Sequence, residues 1–169
     1  MSTFSSTTVR NPTASISTGQ PGESTANTVQ KVSELSGRIL LSVLFLLSGL
    51  GKVGAYAGTS AYMSSLGVPG ALLPLVIATE VLGALAIIVG WKTRITAFLL
   101  AGYSLLTAII FHSSFGDQIQ MIMFFKNVSI AGGFLLLVAN GSGPLSIDHR
   151  RDGARHGRSI ARASPASPA

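Results

Sequence analysis

The 169-residue chain contains no cysteine and few charged residues. Without cysteine it cannot form disulfides, thiol redox couples or thiolate metal sites. Charged residues make up only 11% of the sequence, while hydrophobic residues reach 47%. A soluble domain would carry about twice as much charge. We therefore predict a membrane protein with no room for a separate soluble catalytic domain.

Long apolar runs are what the sequence does contain. Four of them cover approximately residues 37–56, 72–90, 95–111 and 121–139. Each is close to the ~20 residues that a helix needs to cross the hydrocarbon core. Because the backbone must satisfy its own hydrogen bonds inside a bilayer, each run is predicted to be helical. The sequence thus predicts an all-α membrane protein, a four-transmembrane-helix bundle over residues 36–145.

The two ends of the sequence differ in composition from the bundle. Residues 1–35 are rich in Ser and Thr and poor in large apolar side chains, so we predict a disordered arm. No basic start precedes a short apolar core there, so a cleavable signal peptide is not expected. Gly141, Gly143 and Pro144 are expected to end the fourth helix. Residues 146–169 are predicted to form a disordered basic tail.

Lys and Arg are absent from two loops, 57–71 and 112–120. The other polar segments carry the predicted topology anchors: Arg38, Lys92, Arg94, Arg150 and Arg151. With four spans these segments share one membrane face, and the positive-inside tendency assigns that face to the cytoplasm. We predict a multi-pass protein of the bacterial inner membrane with both termini cytoplasmic. Its basic residues lack interleaved aromatic residues, so the lipid bilayer and not nucleic acid is the expected partner.

Few ionisable residues lie inside the predicted spans, and Glu80 is the only acidic one. At about 1.5 Å of rise per residue, five polar side chains reach the outer half of the bundle. These are Lys52, Glu80, His112, Lys126 and Asn127. Since a charge near the bilayer centre costs about 2.5 to 3.5 kcal/mol, we expect them to face the bundle interior. Glu80 is then predicted to pair with Lys52 or Lys126.

Three interpretations of this polar cluster stay open. Lys52, Glu80 and Lys126 can form a structural set of ion pairs that fixes helix register. The same residues can form a ligand or proton site, or the two lysines can extend to the outer interface. His112, at a helix end, is either an interfacial or capping residue or a proton-handling one. Glu80 and His112 offer too few ligands for a metal, so no metal site is predicted.

Short motifs recur along residues 36–149: Gly37-Arg38, Ser48-Gly49 with Lys52, Tyr62-Met63, Gly67-Val68-Pro69, Glu80, Gly90, Thr93-Arg94, Phe111-His112, Phe125-Lys126-Asn127, Gly141, Gly143 and Asp148. In order and spacing these motifs resemble the DoxX-like integral membrane protein family. Most such proteins have no assigned biochemical activity, and no catalytic residue is implied. Related members resemble membrane subunits of quinone-linked sulfur oxidation or of oxidative-stress complexes. No cofactor is evident from the residues themselves. The resemblance points to a quinone as the candidate ligand and to membrane or redox protein partners, although a thiol-based role is excluded here.

We accordingly predict an accessory inner-membrane protein without stand-alone enzyme activity. Its polar pocket in the outer half of the bundle would bind a quinone-like or anionic small molecule, because two lysines outnumber one glutamate. A rival interpretation is a small-solute or proton-coupled transporter, since ionisable groups in spans often mark pathways. Four helices are few for alternating access, so that rival would need a homo-oligomer. A third interpretation is a structural scaffold for membrane partners.

Overall fold

A computed structural model describes residues 21–163 of the chain, with side chains described from residue 25 to residue 155. This part of the chain consists of helices joined by short connections. A 3-10 turn at Gly70–Leu72 precedes the third α-helix. The α-helices are α1 (Pro21–Gly54), α2 (Tyr56–Ser65), α3 (Leu73–Val89), α4 (Thr93–Phe111), α5 (Gln118–Asn140) and α6 (Ile147–Ala163).

Within residues 21–163, four helical segments are long and apolar enough to cross a membrane. They are Thr25–Gly54, Gly70–Val89, Thr93–Phe111 and Gln118–Asn140. These segments contain or overlap the four apolar runs of the sequence, so the predicted all-α, four-span bundle is confirmed. The short helix α2 lies between the first two spans, where the sequence predicted a loop.

Large apolar side chains cover the outside of the long helices. Leu40 is 74% exposed, and Leu75 and Leu136 are each 65% exposed. Water would disfavour such a surface, because contiguous apolar patches are rare on soluble monomers. Lipid hydrocarbon can surround this apolar surface, because the helices leave no backbone group that needs a hydrogen bond from the lipid.

The interior of the bundle is built mainly from small and aromatic residues. Helix α1 packs mainly on α3 and α4 mainly on α5, and the two pairs meet where α3 contacts α4. The buried core consists of Phe45, Ala84, Ile87, Ala97, Leu100, Ala101, Ile130, Ala131 and Phe134. Its alanines allow membrane helices to approach closely, which lets van der Waals contacts stabilise the bundle. We call the end of the bundle beside α2 the α2 end, and the end from which α6 continues the α6 end.

Both termini of the described chain are more helical than the sequence predicted. Helix α1 has 34 residues, about 51 Å at 1.5 Å per residue, so it extends beyond a hydrocarbon core of about 30 Å. Its early turns lie within the arm predicted to be disordered. A helix that continues from a formed span avoids the unfavourable nucleation step, which composition alone does not reveal. Residues 1–20 and 164–169 of the predicted arm and tail lie outside the described residues.

Helix α6 occupies most of the tail that was predicted to be disordered. Ser146 precedes it, and its hydroxyl accepts a hydrogen bond from the backbone N–H of His149 at 3.2 Å. Asp148 lies in the first turn, where negative charge favours a helix. Capping of this kind starts a helix in a sequence with no continuous apolar face.

Candidate functional site

A buried polar cluster joins three helices in the half of the bundle near the α2 end. Glu80 of α3 is only 4% exposed. Lys52 of α1 donates hydrogen bonds to both Glu80 carboxylate oxygens, with N–O distances of 2.9 and 2.8 Å. The Tyr103 hydroxyl of α4 donates to Glu80 Oε1 at 2.7 Å. A single carboxylate therefore links α1, α3 and α4.

The sequence of α1 brings Lys52 to this position. A Cβ atom at Gly49 would lie 2.7 Å from Val81 Cγ2 and 3.2 Å from Glu80 Cβ. Because Gly49 lacks that atom, α1 can approach α3 closely at the level of Glu80. Lys52 follows one turn later on the same face, and its ammonium group reaches the carboxylate.

The hydrogen bonds of the cluster are largely satisfied within it. Lys52 also donates to Ser48 Oγ at 2.6 Å, so its three hydrogen bonds use the full donor capacity of an ammonium group. A buried ion pair persists when its geometry is good and further hydrogen bonds satisfy both partners. The structural ion-pair set of Lys52, Glu80 and Lys126 and the ligand-binding role of the same residues both stay predictions.

A cavity of about 510 Å³ lies beside the cluster, between α1, α3, α4 and α5. This volume falls in the range of about 300–1,000 Å³ found for small-molecule sites. Leu44, Leu75, Val76, Leu106 and Ile110 contribute to its largely apolar wall. Its titratable and amide side chains are Lys52, Tyr62, Glu80, Tyr103, His112, Lys126 and Asn127.

Helix α2 covers the cavity at the α2 end. Tyr62 and Met63 of α2 line it, and Met63 is buried. The Tyr62 ring stacks on Phe111 of α4, with ring centroids 5.9 Å apart. The loop predicted from the sequence is therefore a helix that shields the polar cluster from the membrane surface.

Lys126 and Asn127 lie on the α5 side of the cavity and not in the Glu80 cluster. The Lys126 ammonium is 3.0 Å from the Met123 sulfur, which is a weak acceptor. The Asn127 amide nitrogen donates to the Met123 carbonyl oxygen at 3.0 Å. Glu80 therefore pairs with Lys52, and Lys126 retains most of its donor capacity within the described part of the chain.

His112 lies at the end of α4, close to the start of α5. Its Nδ1 atom is 2.8 Å from Oε1 of Gln120. The position of Gln120 is set by Asp117, which caps α5 by accepting a hydrogen bond from the Ile119 N–H at 2.7 Å. The structure thus brings His112 to the cavity together with Lys126 and Asn127.

Tyr103 belongs to the cluster although sequence analysis did not identify it. Its hydroxyl reaches Glu80 because α3 packs against α4. The spacing of residues within α4 does not reveal that packing. A signal was nevertheless present, because a tyrosine in the middle of an apolar span needs a partner for its hydroxyl.

The predicted topology anchors all lie toward the α6 end, in two different environments. Lys92, Arg94, Arg150 and Arg151 are exposed, whereas Arg38 is only 1% exposed. Arg38 Nη2 donates to the carbonyl oxygen of Leu145 at 2.6 Å. The segment between α5 and α6 folds back over the bundle and covers Arg38, so this residue connects α1 to that segment and does not lie at an open interface.

Asp148 closes the same end of the bundle. It accepts hydrogen bonds from the backbone N–H groups of Lys92 and Thr93 at 2.8 Å and from the Thr93 hydroxyl at 3.0 Å. Its own N–H donates to the Gly90 carbonyl at 2.9 Å. Burial by itself raises the pKa of Asp148, but the hydrogen bonds from Thr93 and Lys92 and the charge of Arg151 outweigh it, so the pKa lies below its usual value. The charged carboxylate thus caps the start of α4.

The cavity offers hydrogen-bond donors next to apolar surface. Within residues 25–155, no three His, Asp or Glu side chains come together in a way that could bind a metal ion. Lys126, Asn127 and His112 offer hydrogen bonding and charge to a ligand in the cavity. A ligand with acceptor oxygens at one end and apolar surface at the other would satisfy both kinds of wall.

Fold and site together define a four-span membrane protein with an interior ion pair, and comparison with known proteins identifies its family. The DoxX family profile matches residues 33–113. The chain is 51% identical over 120 residues to the inner membrane protein YqjF of Escherichia coli (strain K12), covering 71% of this chain and 92% of that protein. It is 43% identical over 123 residues to the inner membrane protein YphA of the same organism, covering 69% of this chain and 88% of the relative.

The chain therefore belongs to the DoxX family and is an inner membrane protein. The match covers most of the first membrane span and all of the second and third, and it includes Lys52, Glu80 and His112. No solved structure matches the chain.

Proposed function

We propose that this DoxX-family protein is an accessory inner-membrane subunit that binds a quinone-type molecule in the cavity. The observation that carries this proposal is the cavity of about 510 Å³, with largely apolar walls and polar groups on one side. A quinone has carbonyl oxygens that accept hydrogen bonds and a tail that needs apolar surroundings. The family resemblance adds support, because it implies a quinone-linked role with a membrane or redox protein partner.

The distribution of hydrogen bonds indicates how such a ligand would lie. Lys52 uses its three donors on Ser48 and Glu80, so it has none left for a ligand. Among residues 25–155, the one hydrogen bond of the Lys126 ammonium goes to a thioether sulfur. We therefore expect the ligand's oxygens to face Lys126 and Asn127, with the apolar tail along Leu106 and Ile110 of α4.

The packing of side chains on the α6 side of the cavity favours ligand binding over transport. Phe45 and Ile130 line the cavity and also belong to the buried core. Phe45 packs edge-on against Phe134, with ring centroids 5.3 Å apart. The described bundle continues from there toward the α6 end as packed side chains, most of them apolar, with Ser42 and Arg38 of α1 buried among them. A transported solute would have to displace this core.

We further propose that the α6 end faces the cytoplasm, so that both termini lie inside the cell. The exposed Lys92, Arg94, Arg150, Arg151 and Arg155 gather at that end, and cytoplasmic loops carry an excess of Lys and Arg. The cavity then lies in the outer half of the membrane.

Quinone binding can be tested on the purified full-length protein in detergent. Decylubiquinone, a short-chain quinone, is expected to raise the midpoint of thermal unfolding, because a ligand that binds only the folded state stabilises it. Lys126→Met is expected to weaken binding by about tenfold, the value of one hydrogen bond to a charged group. Lys31→Met, an exposed lysine outside the cavity, is the matched control. No shift with decylubiquinone, or equal loss in both variants, would contradict the proposal.

A further inference from the structure

A second concave surface lies at the α6 end, separate from the cavity already described. It is an open groove of about 480 Å³ between the last turns of α3 and the first turns of α6. Its lining residues are Leu85, Ala86, Val89, Trp91, Ile147 and Arg151. Leu85, Val89 and Ile147 are exposed apolar side chains, so the groove has an apolar floor and a cation at one side.

The position of the groove along α3 determines what can fill it. Leu85 and Val89 lie in the final turns of a membrane span, about 6 Å apart along the helix axis. Trp91 follows the span, and tryptophan is enriched where hydrocarbon meets the headgroup region. The groove therefore runs from acyl-chain depth to headgroup depth, which is the path of a phospholipid.

Charge selects among the phospholipids. Arg151 is exposed and makes no side-chain hydrogen bond within the described residues. Asp148, which interacts with Arg151 electrostatically, already accepts three hydrogen bonds from Lys92 and Thr93. The Lys92 ammonium lies 5.7 Å from the centroid of the Trp91 ring. Arg151 in the groove and Lys92 beside Trp91 thus give this end of the groove a positive charge that an anion can neutralise.

We propose that this groove binds one anionic phospholipid from the leaflet at the α6 end. Its acyl chain lies along Leu85 and Val89, and its phosphate binds the Arg151 guanidinium. Arginine donates two parallel hydrogen bonds to phosphate oxygens, which gives such a contact both strength and direction. Clusters of basic residues next to spans select anionic lipids. A zwitterionic headgroup fits less well, because its own cation meets the charge of Lys92 and Arg151.

Native mass spectrometry of the full-length protein tests this proposal. The protein is equilibrated in detergent with equal amounts of phosphatidylglycerol and phosphatidylcholine of the same acyl chains. We expect one phosphatidylglycerol to be retained in preference to phosphatidylcholine. Arg151→Gln should lower its retention about fivefold, the factor associated with one basic residue near an anionic membrane surface. Equal retention of both lipids by the unaltered protein would overturn the proposal.

Matched variants separate a local site from diffuse attraction. Arg155→Gln removes an exposed cation one turn further along α6, outside the groove lining, and should retain the lipid. Leu85→Trp fills the groove and keeps Arg151, so it should lose the lipid, whereas Leu82→Trp on the exposed surface of the same helix should not. Thermal unfolding without added lipid checks that each variant is folded. Equal losses in the two arginine variants or in the two tryptophan variants would refute a local site.

The phosphate could also come from a soluble molecule, and competition distinguishes the two sources. We expect millimolar sn-glycerol 3-phosphate to leave phosphatidylglycerol bound, because it cannot occupy the apolar floor. Displacement at that concentration would assign the groove to a soluble phosphate and overturn the assignment to a lipid.

Discussion

At the scale of single residues, Glu80 decides whether the interior of the bundle is electrostatically balanced. Its carboxylate accepts hydrogen bonds from Lys52 and Tyr103 and is 4% exposed. Replacing it by glutamine leaves a lysine without its counter-charge in a membrane interior. We expect Glu80→Gln to lower the free energy of unfolding by about 3 kcal/mol, as when one partner of a buried pair is removed.

A double-mutant cycle checks this expectation by thermal unfolding in detergent. Glu80→Gln and Lys52→Met should couple, because the double variant no longer has an unpaired charge. Lys126→Met is the matched control, since Lys126 contacts Met123 and not Glu80; its effect should add to that of Glu80→Gln. If the effects of Glu80→Gln and Lys52→Met on stability also simply add, the ion pair between Glu80 and Lys52 is contradicted.

A second prediction at this scale concerns Asp148 at the α6 end. Asp148→Asn weakens the cap on α4 and should lower the stability at pH 7 by about 1–2 kcal/mol. The folded-state pKa of Asp148 lies below its ordinary value of 3.8, so its stabilisation is present above that value and is lost as the pH falls through the folded-state pKa. The difference in unfolding midpoint between the native protein and Asp148→Asn should therefore shrink in acid.

The next turn of α6 provides the control for Asp148. Asp152 is exposed and has no hydrogen bond within the described side chains, so Asp152→Asn removes the same charge without removing a cap. Its unfolding midpoint should match the native protein at pH 7. If both asparagine variants lower the unfolding midpoint equally, the loss of stability comes from the change in net charge, and the proposed cap is wrong.

Some of these residue contacts could be predicted from the sequence and others could not. The depth of Lys52 and Glu80 follows from counting residues along each span, so their pairing was among the expected ones. Depth alone could not show whether Lys52 or Lys126 pairs with Glu80, because that depends on which helices pack together. The burial of Arg38 was not predicted, since it depends on how the segment after α5 folds back onto α1.

At the scale of helices, the contact between α1 and α3 depends on Gly49. A methyl group there would lie 2.7 Å from Val81 Cγ2, so Gly49→Ala should push the helices apart and lengthen the contact between Lys52 and Glu80. We expect a lower unfolding midpoint in detergent, with a loss of about 1–3 kcal/mol for overpacking.

Gly51 on the same helix is the matched control. Apart from its chain neighbours and the backbone of its own helix, no described residue lies within 4 Å of a Cβ atom built there, so Gly51→Ala should be neutral or stabilising by up to about 1 kcal/mol through helix propensity. Equal destabilisation by the two alanines would mean that α1 and α3 do not meet closely at Gly49.

The helices themselves differ in how far the sequence predicts them. Runs of apolar residues determine the four spans, because a bilayer permits little other than helix at that depth. Helices α2 and α6 lack such runs; α2 is held by a tertiary contact, the stacking of Tyr62 on Phe111, and α6 by the local cap at Ser146. The stacking contact appears only once α4 is in place, and the cap acts in a segment whose composition predicted disorder.

At the scale of the whole molecule, the two ends of the bundle differ in exposed charge, and this difference predicts orientation. Lys92, Arg94 and Arg151 are among the exposed cations at the α6 end, while the connections at the α2 end contain no Lys or Arg. Since cationic segments are retained in the cytoplasm, the α2 end should face outward.

The absence of cysteine allows a direct test of this orientation, because any introduced thiol is the only one in the chain. Ser65→Cys and Ser114→Cys place exposed thiols at the α2 end, and His149→Cys places one at the α6 end. In intact cells a maleimide that cannot cross the inner membrane should label the first two variants. It should label the third only after the cells are lysed. Labelling of His149→Cys in intact cells, together with protection of the other two, would reverse the proposed topology and move the cavity to the cytoplasmic half of the membrane.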